Sequence, residues 1–211
     1  PDSDHYGKEI YVGSNENRVV FVDVTDKSNP KLISDFFYDH QYTHQAWLTE
    51  DHSFALLGDE LDELDLTSNP IVLKENVKTR TIVIDIRDLD NPILHFNYVS
   101  DTKAIDHNGY VKGSKFYLAS YTSGLRVIDI LNIGQRSIKE IGYFDTHPHE
   151  SQNNGIVNNQ RSGDPGGHVG IKGNNSPFFN GAWSVYPFFD SENIIISDIN
   201  SGLFIVKKSS L

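Results

Sequence analysis

Residues 18–33 read RVVFVDVTDKSNPKLI, and residues 80–95 read RTIVIDIRDLDNPILH. The two stretches align without a gap. Each is an apolar, β-branched run, then an Asp (Asp23, Asp85), a polar turn, an Asn-Pro pair (Asn29-Pro30, Asn91-Pro92) and a second apolar run. Short runs of this kind, bounded by Gly, Asn, Asp and Pro, read as strands joined by tight turns. A third copy, GLRVIDILNIGQRSIKEI at 124–141, keeps the Asp as Asp129 and has no Pro, and GLFIVKK at 202–208 stops before a further strand. An Asp that closes a strand accepts backbone N–H groups of the following turn, which accounts for all three Asp positions.

A second element precedes each copy. His44-Gln-Ala-Trp-Leu leads to 53–58, His107-Asn-Gly-Tyr-Val to 115–120, and Gly181-Ala-Trp-Ser-Val to 193–197. The repeating unit is therefore four strands. No stretch of a dozen residues carries a helical period, so the chain reads as all-β. A repeated four-stranded unit is the blade of a β-propeller, in which sheets stack around a channel. The expectation is one partial propeller domain over 1–211 with about four blades, at 8–38, 42–100, 104–146 and 181–208. Two are incomplete: the first lacks its inner strand and the last its outer one. The 59–78 stretch is an acidic insertion in the second blade, and 147–180, rich in Gly, Asn, Ser and Pro, is a long loop. Incomplete blades leave open sheet edges, which proteins normally cover. Missing N-terminal blades or a protein partner are expected to cover them.

Composition narrows the function. Of 211 residues, 18 are Lys or Arg and 29 are Asp or Glu, a net charge of −11. Phosphate binding needs the opposite balance, so nucleic acid is excluded as a partner, and an anionic membrane surface is disfavoured. No apolar run reaches the roughly 20 residues of a membrane span, so direct membrane insertion is not expected. Cys and Met are both absent. Disulfides, thiolate nucleophiles and Cys-ligated zinc are thereby ruled out. No G-x-S-x-G elbow and no phosphate-cradling Gly-rich loop is present.

Several segments resemble choice-of-anchor B, an extracellular bacterial family built on LVIVD-type repeats. They are GKEIYVGSNENRVVFVDVTDKSNP at 7–30, YTHQAWLTEDHSFALLGDELDE at 42–63, AIDHNGYVKG at 104–113, SGLRVIDI at 123–130 and GAWSVYPFFDSENIIISDINSGLFIV at 181–206. The resemblance implies a secreted or surface-anchored propeller, with this chain matching the C-terminal part of the family domain. It carries a fold and a location more than a reaction.

Four sets of residues can carry chemistry. Asp59, Glu60, Asp62 and Glu63 suit Ca²⁺, which takes six to eight oxygen ligands, although no EF-hand spacing is present. In an extended chain Asp59 and Glu63 share one side and Glu60 and Asp62 the other, and Arg80 would relieve their repulsion. The plainer reading is a solvated acidic loop. His44 and His107 hold the same place in successive blades, on one rim of the channel. With a carboxylate such as the adjoining Asp106 they suit a transition metal, or else they pack neighbouring blades together. Asn108 adjoins His107, while Trp47 and Trp183 fall in inner strands at positions read as equivalent, with Tyr186 following. These aromatics line a ligand-binding mouth or pack between blades. His147, His149 and Glu150, with His168, form a further candidate metal set in the long loop, for which a plain surface loop is the simpler reading. Together they point to a secreted or cell-surface propeller acting as a binding or assembly module. The alternative is a metal-dependent extracellular hydrolase or lyase at the channel mouth.

Overall fold

Strand periodicity of two sends alternate side chains to opposite faces. The central runs are apolar on both faces, so each must lie between two other layers. In the computed structural model, which describes residues 4–148 and 177–209, the described residues are all-β. Among the described residues only the short 3₁₀ turns Ile133–Gln135 and Pro177–Phe179 are helical.

The first sheet is the meander β1 (Ile10–Ser14), β2 (Val19–Asp23) and β3 (Lys31–Phe36). Then come β4 (Thr43–Leu48) and β5 (Phe54–Asp59), a two-stranded ribbon of β6 (Leu64–Asp65) and β7 (Val72–Leu73), and β8 (Arg80–Asp85) and β9 (Ile93–Val99). The second sheet has the order β4-β5-β8-β9, so the ribbon is a side excursion. The third sheet is β10 (Gly109–Lys112), β11 (Lys115–Ala119), β12 (Leu125–Asn132) and β13 (Ser137–Phe144). The fourth is β14 (Ala182–Tyr186), β15 (Ile194–Asp198) and β16 (Gly202–Val206). Neighbouring strands are antiparallel throughout, and no sheet closes on itself.

The turns form as their Asp residues dictate. Asp23 Oδ1 accepts Thr25 N–H at 3.0 Å, Asp85 Oδ1 accepts Arg87 N–H at 3.1 Å, and Asp129 Oδ1 accepts Leu131 N–H at 3.0 Å. Asp198, which ends β15 and matches Asp59 in register rather than these three, accepts Asn200 N–H at 2.9 Å.

The sheets pack face against face in chain order. Ala55 and Leu57 of β5 and Ile82 and Ile84 of β8 point at Val19, Phe21 and Phe36 of the first sheet. Phe54, Leu56 and Val83 point the other way, at Phe116, Leu118 and Ile128 of the third. Ala119 and Leu125 meet Ala182, Val185 and Ile196 of the fourth. All six residues of β5 are buried. β4 runs beside β1 and β10, and β14 beside β10 and β11. The leading strands of the second, third and fourth sheets, β4, β10 and β14, thus gather along one line, and the segments entering and leaving them meet at its end.

The acidic stretch departs from a solvated loop. Asp59, Glu60 and Glu63 are buried, because the chain turns inward after β5 and the β6–β7 ribbon covers the turn. Leu64 packs there with Ile105 and Tyr121. His149, Glu150 and His168 lie outside the described residues. The His147 N–H donates to Asp145 Oδ1 at 2.8 Å.

Candidate functional site

Asp59 ends β5 and organises the turn. Its carboxylate accepts the backbone N–H groups of Gln41 at 2.8 Å, Tyr42 at 2.7 Å and Leu61 at 3.4 Å. It ties the entry to β4 to the exit from β5. Asp59→Asn puts an amide NH₂ against one of those donors and should cost about 2 kcal/mol in urea denaturation, with metal stoichiometry unchanged.

Residues 60–63 turn rather than run extended: Asp62 N–H reaches Asp59 O at 3.4 Å and Leu64 N–H reaches Leu61 O at 3.0 Å. The alternation expected of an extended run is therefore absent. Glu60 goes to the histidines, and Asp62 and Glu63 go together to Asp106.

Glu60 is fully buried between three sheets. Tyr121, just past β11, donates its hydroxyl to Oε1 at 2.6 Å. His44 of β4 places Nδ1 3.2 Å from Oε2, and His107, two residues before β10, places Nε2 3.5 Å from Oε1. The two imidazoles stack with centroids 4.3 Å apart. His107 Nδ1 lies 2.6 Å from the carbonyl of Trp183 in β14. A carbonyl can only accept, so Nδ1 carries a proton, and Nε2 faces Glu60. Asn108 Nδ2 donates to the same carbonyl at 3.0 Å, and its 2.6 Å approach to His107 Nδ1 is a contact of two donors sharing one acceptor. A ring held by one nitrogen on a carbonyl, with the other presented to a carboxylate, has the orientation of a metal-binding histidine. One ligand atom each from His44, Glu60 and His107 lies within 4.8 Å of the others.

Asp62, Glu63 and Asp106 form a second group of the same compactness. Arg80, at the start of β8, donates Nε to Asp62 Oδ2 at 2.6 Å and its Nη2 to the carbonyl of Asp39 at 3.3 Å. Burial, then the charges of Asp106 and Asp62, push the Glu63 carboxyl up to about 12. Burial, reinforced by Asp62, Asp59 and Glu60, holds Asp106 well above the carboxylate range. Asp62 is also raised, by burial first, with Arg80 opposing. As carboxylates Glu63 and Asp62 have no donor between them; protonated, Glu63 can donate to Asp62. Gly58 in β5 makes room, since a Cβ there would stand 2.6 Å from Asp106 Oδ2.

The expected rim residues divide. His44, His107, Asn108 and Trp183 converge, with the Trp183 ring 4.2 Å from that of His107. Arg80 belongs to the carboxylate group. Trp47 stands against Tyr110 at 4.7 Å and near Phe188, which also meets Tyr186 at 5.4 Å. That run of partly exposed rings is a packing surface of β4, β10 and β14. The equivalence of Trp47 and Trp183 does not hold. β4 and β14 each carry an irregularity after their first residue, pairing Thr43 with Asp59 then Gln45 with Gly58, and Ala182 with Asp198 then Ser184 with Ser197. Trp183 therefore matches His44, and Trp47 matches Tyr186. Tyr121 was not legible as a site residue, because it reaches Glu60 across 61 positions.

The arrangement offers two histidines and a glutamate to one ion, and three carboxylates close by. No family model matches the chain, and no curated protein matches it.

Proposed function

We propose that this chain contributes four blades to an extracellular β-propeller and works as a metal-dependent binding module, with its ion between His44, Glu60 and His107. One observation carries the reading: two imidazoles from successive sheets and a fully buried carboxylate converge within 4.8 Å, with His107 already oriented by the Trp183 carbonyl. Two nitrogens and one oxygen suit a borderline divalent ion such as zinc, and leave at least one position for an outside ligand. The His44 side chain is 20% exposed, so that position opens toward solvent on its side. A carboxylate or other anionic oxygen on a partner can fill it.

The propeller reading is supported by the repeated sheets and by the line of β4, β10 and β14, with β1 set against β4 as β11 is against β14. The extracellular placement rests on the likeness to choice-of-anchor B. No helix of the described residues is long and apolar enough to cross a membrane. A protein partner, or further blades, would cover the outer faces of the end sheets, where Leu32 is 65% exposed and Leu203 and Ile205 are 61% and 64% exposed. Three protein ligands with an open position is also the pattern of catalytic zinc, and this favours a hydrolase or lyase as the second reading.

The test is a Co²⁺ titration of the EDTA-treated chain. Visible bands of a low-coordinate ion should appear at one equivalent, and His44→Ala or His107→Ala should weaken binding by about a hundred-fold or more, beyond the 10–100-fold typical of losing an outer support. Bands unchanged in both variants would overturn the site. Metal-dependent cleavage of an extracellular polymer, lost in His44→Ala, would replace the binding reading with the enzymatic one.

A further inference from the structure

The carboxylate group beside the histidines stands apart from the proposed metal centre. Five of the six carboxylate oxygens of Asp62, Glu63 and Asp106 are buried without a hydrogen-bond partner: Asp62 Oδ1, both of Glu63 and both of Asp106. The sixth, Asp62 Oδ2, is taken by Arg80. Glu63 and Asp106 are each 1% exposed, so bulk water does not solvate them. Asp106 is the telling member. It lies more than 40 positions from the acidic run, enters from the segment before β10, and brings a carboxylate oxygen within 4.8 Å of one each from Asp62 and Glu63. Gly58 leaves the space that this carboxylate fills.

Burying a charge without a partner is among the costliest things a fold can do. Fully ionised, the three carboxylates exceed the one guanidinium by two negative charges, which a single divalent cation cancels. The donors are all oxygen and mostly anionic, which selects a hard ion over zinc or copper. Five oxygens fall one short of the smallest calcium shell, and water commonly supplies the rest. We infer that Asp62, Glu63 and Asp106 bind a calcium-class cation, at a site independent of His44, Glu60 and His107. The ion fastens the turn after β5 to the segment before β10, joining the second sheet to the third.

Calorimetric titration of the EDTA-treated chain with CaCl₂, and separately with MgCl₂, tests this, with the melting temperature followed alongside. One calcium per chain, a rise in Tm on saturation and preference over magnesium are expected. Asp106→Asn should abolish the uptake and the rise, while its metal-free form melts no lower than metal-free wild type, because the replacing amide is neutral. Should that variant not fold, Glu63→Gln carries the same expectation. His44→Ala should keep its calcium even if it loses Co²⁺. The inference is overturned by no uptake at millimolar calcium with Tm unmoved, as a cluster that shares protons would behave. It is also overturned by uptake that survives both carboxylate substitutions. Loss of calcium in His44→Ala would overturn the independence of the two sites.

Discussion

Arg80→Ala is expected to destabilise the metal-free protein by about 3 kcal/mol, the lower end of what removing one partner of a buried ion pair costs. The guanidinium is 25% exposed and Asp62 only 10%, so most of the burden falls on the carboxylate left behind. Without Arg80 the group of Asp62, Glu63 and Asp106 loses its one cationic partner. Urea denaturation in EDTA should read the loss directly. Added calcium should recover part of it, because the more negative group attracts the cation more strongly. An Arg80→Ala protein as stable as wild type in EDTA would mean that the carboxyls are neutralised by protons alone.

Gly181→Ala is expected to act at a distance on the histidine centre and to cost about 3 kcal/mol. Gly181 has φ +91°, a conformation that penalises a side chain by roughly 1–2 kcal/mol. Its Cβ would also fall inside the carbonyl oxygen of Tyr121, which is backbone and cannot step aside. That carbonyl accepts Ala182 N–H at 2.9 Å, the bridge joining the fourth sheet to the third. One residue further on is the Trp183 carbonyl that orients His107. Co²⁺ affinity should therefore fall about ten-fold or more with stability. Gly202→Ala is the control. It has a similar φ of +84° but nothing within 4 Å of its Cβ, so it should show the strain penalty and normal metal binding.

Much of the fold was legible because strand signals are local. The Asp23, Asp85 and Asp129 turns need only the residues beside them, and the structure forms each one. The pairing of His44 with His107 was also within reach, since repetition places matching residues on neighbouring sheets. The acidic run was harder. Its five carboxylates from 59 to 65 look like a solvated loop, and burial there is decided by the ribbon of β6 and β7, too short to carry a strand pattern. Extended geometry then misassigned which acids share a side. Tyr121 and the Trp183 carbonyl were out of reach for another reason. One is an aromatic in an ordinary turn and the other a backbone atom, and neither residue type advertises a role.

Glu60 follows directly on β5, whose six residues are all buried. Amides in such a strand exchange with solvent only through the largest openings of the molecule. The carboxylate end of the histidine centre should therefore keep its place through every smaller fluctuation. The Trp183 end is held by the fourth sheet, where β16 leaves Leu203 and Ile205 to solvent and protection should be lower. Hydrogen exchange should find two rates meeting at one ion. An ion at the proposed centre would be expected to leave by release of His107 from the Trp183 side while Glu60 stays fixed, so its off-rate should follow the local opening of the fourth sheet rather than the stability of the whole protein.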